Sequence, residues 1–102
     1  MIKHIVMWTL KDNAEGNTKQ RNAELIKEKL ERLYGQVPQI KHIEVGISYR
    51  HDKEDYDVVL ISEFETKKDL ETYQHHPIHN IAAAFIGKVR DKRVCVDFES
   101  TQ

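Results

Sequence analysis

Four side chains in this chain could accept a proton near neutral pH or hydrogen-bond a reacting group: the histidines His4, His76 and His79, and Tyr73. An imidazole ordinarily titrates at ~6.5, and a phenol can hydrogen-bond a developing enolate. A histidine and a tyrosine facing one cavity would therefore remove a proton next to a carbonyl and hold the resulting oxyanion. His79 stands three residues before Ala82 and seven before Ile86, which puts it on the apolar stripe of a helix. The same residues also read as structure, with Tyr73 an amphipathic core residue and His79 and His4 bonded to each other or to backbone. His76 precedes Pro77 where a helix restarts, so capping or loop fixing suits it better than chemistry. His76 and His79 are spaced for two metal ligands on one turn, yet no third ligand stands near, so no metal or cofactor is expected. Cys95, between Val94 and Val96, reads as a small buried packing residue with no activating base.

The elements that must position these residues follow from hydrophobic periodicity. From Ile2 to Leu10 the chain alternates, with His4, Val6, Trp8 and Leu10 on one face and Ile5 and Met7 on the other, a strand apolar on both sides. A polar loop over Asn13 to Asn17 precedes a helix, with Asn17 and Gln20 spaced as a capping box. Ile26, Leu30 and Leu33 form that helix's apolar stripe, and Glu24 with Lys27 and Glu28 with Arg32 its wet-side pairs. Gly35 and Pro38 stop it. Strands are expected over Ile40 to Tyr49 and Tyr56 to Phe64, joined by the polar segment Arg50 to Asp55. Thr66 opens a short helix through Leu70 and Tyr73, and Pro77 opens another whose stripe is Ile78, Ala82, Phe85, Ile86 and Val89. Arg93 to Phe98 closes the chain as a strand. The order βαββαβ defines one ferredoxin-like α+β domain over residues 1–102.

Composition bounds the function. Sixteen basic and 17 acidic residues leave a net charge of -1, which provides no footprint for nucleic acid or an anionic membrane. The basic cluster Lys88, Arg90, Lys92 and Arg93 is interrupted by Asp91 and falls where a turn is expected, so it reads as a solvated connection. A single cysteine and the absence of a secretory or membrane-spanning apolar run lead to the expectation of a soluble cytoplasmic protein. Helices on one side of the sheet would leave Ile5, Met7, Val59 and Ile61 uncovered, and a second copy packed face to face would cover them. A homodimer enclosing a barrel-like core is expected.

The segments MIKHIVMWTLKD, PQIKHIEVGI, YDVVLISEFET, DLETYQHHPIH and VDFE, in that order, resemble the stress-responsive dimeric α/β-barrel family over nearly the whole chain. The resemblance implies a dimeric α+β barrel and, as in some members, small-molecule binding. One plant member, olivetolic acid cyclase, performs an aldol-type cyclisation of a polyketide; its catalytic tyrosine and histidine correspond to Tyr73 and His79, and its supporting histidines to His4 and His76. Leu30 and Ala82 replace aromatic residues of that cavity, which implies a different substrate. Val6, Trp8 and Leu30 are taken as pocket walls. The expected function is binding of a small apolar or carbonyl-containing molecule, with cofactor-free lyase or cyclase chemistry by the Tyr and His pocket. Two alternatives stand beside it: a non-catalytic stress or interaction protein, and a cofactor-independent monooxygenase on the same barrel.

Overall fold

The computed structural model describes residues 1–101. Its centre is β1 (Ile2–Leu10), flanked by β5 (Val58–Phe64) and β6 (Arg90–Glu99), with β4 (His42–Ile47) outside β5. The order β4-β5-β1-β6 is antiparallel throughout, which makes the fold ferredoxin-like as expected. Directly paired residues share a face of a pleated sheet. His4 pairs with Ser62 and Asp97, Val6 with Leu60 and Cys95, and Trp8 with Val58 and Arg93, so these nine side chains belong to one face.

Helices α1 (Lys19–Glu31), α2 (Lys67–Gln74) and α3 (Pro77–Val89) supply the second layer. Ile26, Leu30, Leu70, Tyr73, Ala82, Ile86 and Val89 bury themselves against Val6, Trp8, Val58, Leu60 and Phe64. The covered face of the sheet is thus the one that carries His4. The helices cover β1 and β5 well, but β6 lies beyond them and is exposed along nearly its whole length.

Several boundaries differ from expectation. The cap of α1 is Thr18, whose side chain accepts from the Arg21 amide at 3.2 Å, one residue beyond the expected Asn17. Asn17 instead closes a miniature hairpin, β2 (Asn13–Ala14) and β3 (Asn17–Thr18), where a loop was expected. Its two turn residues, Glu15 and Gly16, both have positive φ (52° and 77°), the geometry of a two-residue hairpin turn. Buried Asn22 ties this hairpin to α1 by donating to the Ala14 carbonyl at 3.0 Å. The wet-side pairs of α1 are also not the expected ones: Arg21 reaches Glu24 and Glu28, while Lys27 pairs with Glu31 at 2.7 Å. That second pair turns inward to the sheet, Lys27 donating to the Val45 carbonyl and Glu31 accepting from the Val45 amide. Although partial burial acts against it, this bonding holds the Glu31 carboxyl below its usual range.

The largest departure concerns the chain between α3 and β6. No turn separates them. Arg90 is both the residue that ends the helix and the first residue of the strand, its backbone already extended at φ -81° and ψ 151°. The basic cluster is therefore carried on ordered structure and is not a solvated connection.

Candidate functional site

A cavity of about 240 Å³ opens between the helices and the sheet. Its floor is His4, Val6 and Trp8 from β1 with Leu60 from β5; Leu30 and Tyr73 form one wall. His79, Ala83, Ile86 and Gly87 on α3 form the other, and Arg90 and Arg93 stand at its β6 side. Of the expected site residues, His4, Val6, Trp8, Leu30, Tyr73 and His79 are brought together. His76 is not. It caps α3, its Nδ1 accepting from the Ile78 amide at 3.1 Å, which spends its free nitrogen on the helix terminus. Ala82, expected at the cavity, packs into the core, and its neighbour Ala83 takes the lining position.

Tyr73 is fully buried, and its ring leans on Phe64 (centroids 5.0 Å apart) and His79 (4.5 Å). Burial raises the phenol well above its ordinary value of 10.0, so it stays protonated. Its hydroxyl has no hydrogen-bond partner, and neither has the buried Nδ1 of His79. Buried polar groups without partners are uncommon in native structures, and here two of them belong to residues that line one cavity. Burial also lowers the proton affinity of His79, against the opposing influence of Asn80 and the Gln74 backbone; the nearness of His4 and Arg93 adds to the lowering. His79 is a neutral imidazole at pH 7.

His4 is 3 % exposed, and its Nδ1 lies 2.5 Å from the Asp97 carboxylate across the β1–β6 pair. A carboxylate at Nδ1 fixes the tautomer, placing the proton there and leaving Nε2 as the acceptor. Asp97 went unrecognised in the sequence because its partner is 93 residues away; its alternation with Arg93 and Cys95 was the only available signal. Cys95 is a further correction. It is exposed, with its Sγ 3.6 Å from Asp97 Oδ1 and 3.9 Å from His4 Nδ1. It was expected to be buried, but β6 extends past the helices that would have covered it. Partial burial and the Asp97 charge raise its thiol, which suits no nucleophile. His4, Cys95 and Asp97 do place three potential ligand atoms within 4.8 Å of one another, yet the short His4–Asp97 hydrogen bond already occupies two of them.

No protein with a curated description matches the chain. Among solved structures, a dimeric protein of unknown function with a ferredoxin-like fold from Bacteroides fragilis is 32% identical, covers 97% of this chain and 95% of its own, and superposes with a TM-score of 0.85. A dimeric ferredoxin-like protein of unknown function from Thermobifida fusca is 25% identical, with 95% and 88% covered and a TM-score of 0.80. Hydroxynitrile lyase from Passiflora edulis shares the fold at 19% identity, 95% and 90% coverage and a TM-score of 0.78. The family described as the stress responsive A/B barrel domain matches residues 2–100, and the chain belongs to it.

Proposed function

We propose that this protein binds a small carbonyl compound in the cavity and catalyses cofactor-free proton abstraction beside the carbonyl, the step shared by β-eliminating lyases and aldol-type cyclases. The observation that carries the proposal is the pair of buried, unpartnered polar atoms, Tyr73 Oη and His79 Nδ1, beside an imidazole already oriented by a carboxylate. A cavity with no ligand to receive would leave both desolvated without return, at about 1–3 kcal/mol each.

The division of labour follows from the surroundings. His79 was expected to be the base, but burial and the nearby charges disfavour its protonated form. His4 is better placed. Its Nε2 takes the proton, and the Asp97 carboxylate stands against the imidazolium that forms. Tyr73, and neutral His79 in the tautomer that carries its one proton on Nδ1, then donate to the carbonyl oxygen as it gains charge, a role a neutral imidazole fills when its proton affinity is low. The enolate carbon attacks an electrophilic carbon of the same molecule, or expels a group on its neighbour, and His4 returns the proton to the group that accepts the charge. The hydroxynitrile lyase has this fold and supports the reading only as a precedent for lyase chemistry on the architecture.

The unit that carries the site is a homodimer on this reading. The sheet face away from the helices bears Ile5, Met7, Val59 and Ile61, joined by Val94, Val96 and Phe98 of β6, of which Val96 is 53 % exposed. So much contiguous apolar surface is what a second sheet would cover, and the Bacteroides and Thermobifida proteins are both dimeric.

Exchange of the α-protons of octan-4-one in heavy water, followed by NMR, tests the chemistry without knowledge of the natural substrate. The protein should accelerate exchange over free imidazole, and His4→Gln or Asp97→Asn should remove about 100- to 10,000-fold of that rate. Tyr73→Phe should abolish most of it while leaving stability within about 1 kcal/mol, because the lost hydroxyl has no partner. Exchange no faster than imidazole, or equal rates in all four proteins, would sink the proposal.

A further inference from the structure

Arg90 and Arg93 both line the cavity, and neither lies within ion-pairing distance of a carboxylate among the described residues. Arg21 and Arg50, on open surface, do find acidic partners. Asp91, the acidic residue between Arg90 and Arg93 in sequence, belongs to a different groove beside Lys92 and Thr9. The two guanidiniums reach the cavity from different elements. Arg90 is half-buried where α3 passes into β6, and Arg93 stands on the helix-side face of β6, opposite Trp8. The proximity of Arg93 to His79 shows in the disfavoured protonation of that imidazole.

Polarity is thus segregated along the cavity. Tyr73 and His79 stand beside His4 at one end, Val6 and Leu60 are paired in the middle, and Trp8 faces Arg93 at the other end, with Arg90 paired to Leu10 just beyond it. We infer that the ligand is a small oxo acid, its carbonyl at Tyr73, its short apolar body against β1 and α3, and its carboxylate held by Arg90 and Arg93. A guanidinium presents a planar fork that matches a carboxylate, and it cannot lose its charge at any relevant pH. The cavity is smaller than the roughly 300–1,000 Å³ of drug-sized sites, which limits the body to a short chain or one ring. The inference rests on the proposed carbonyl site and adds the class of molecule that fills it.

The probes are 4-oxooctanoate and octan-4-one, which differ in a carboxylate against a methyl group, with binding measured by calorimetry on the intact protein. Wild type should bind the oxo acid at least about tenfold more tightly than the ketone, with the preference shrinking in about 0.5 M salt. Arg90→Gln and Arg93→Gln should each reduce that preference, and the double variant should eliminate it. A preference that survives in the double variant, or equal affinities in wild type, overturns the carboxylate clamp. Tyr73→Phe separates the two levels: ketone binding that depends on Tyr73, without preference for the acid, leaves the carbonyl site standing and removes the clamp alone. Failure of both probes to bind wild type overturns clamp and carbonyl site together.

Discussion

His79 couples the site to pH in a direction that can be worked out. Its proton affinity is lowered in the folded protein from an ordinary pKa of 6.5, chiefly by burial. Above that value the imidazole is neutral whether folded or unfolded and contributes nothing. As pH falls through 6.5 the unfolded chain gains the proton first, so stability declines until the lower folded value is reached. His79→Gln lacks this slope. Urea denaturation of both proteins at about pH 7.5 and about pH 5.5 should show wild type losing more stability than the variant on acidification. An equal loss would mean the ring is not held neutral by burial. At this scale the sequence exposed His4, Tyr73 and His79, because periodicity alone puts them on inward faces. Asp97, Arg90 and Arg93 stayed hidden, because their significance depends on the register of β6 against β1, which joins residues some 90 positions apart and leaves no local pattern.

Helix ends and strand registers set the positions of these side chains, and His76 shows how an element can claim a residue from the site. As the cap of α3 it serves the same helix that carries His79. His76→Ala should cost about 1 kcal/mol in urea denaturation, with His76→Asn recovering most of it, as expected for a lost N-cap acceptor. Ketone exchange per folded molecule should hold steady in both; a fall comparable to that of Tyr73→Phe would return His76 to the site. β1 and the two later helix starts were legible because alternation, Thr66 and Pro77 are strong local signals. The start of β6 was not. Charged residues at Arg90 to Lys92 read as a turn, but an edge strand outside the helix layer tolerates them along its whole length.

For the molecule as a whole, the feature that bears on assembly is the open apolar face of the sheet. Ile61 pairs with Ile5 and Glu44 in the middle of that face. Ile61→Asp would place an unpaired carboxylate in the sheet-to-sheet contact, at a cost of several kcal/mol if the face is buried. In sedimentation, wild type should run as a dimer and Ile61→Asp as a monomer. A variant that sediments as the same dimer would remove the face-to-face arrangement. A dimer is the expectation from sequence because a strand apolar on both sides needs two layers and the helices supply only one. Phe98 and Val96, which extend the patch, entered only once β6 was paired.

The helical wall of the cavity contains Gly87, where an added Cβ would meet nothing within 4 Å and the backbone shows no positive φ. Alanine would fit there without strain and would firm the helix by about 1 kcal/mol, since glycine is among the poorest helix formers. A methyl group at that point would also take up space at the cavity wall. Thermodynamic stability and capacity for a guest therefore pull this position in opposite directions. The glycine represents a choice of room over rigidity, and a change of one residue there would alter the room in the cavity without disturbing the fold.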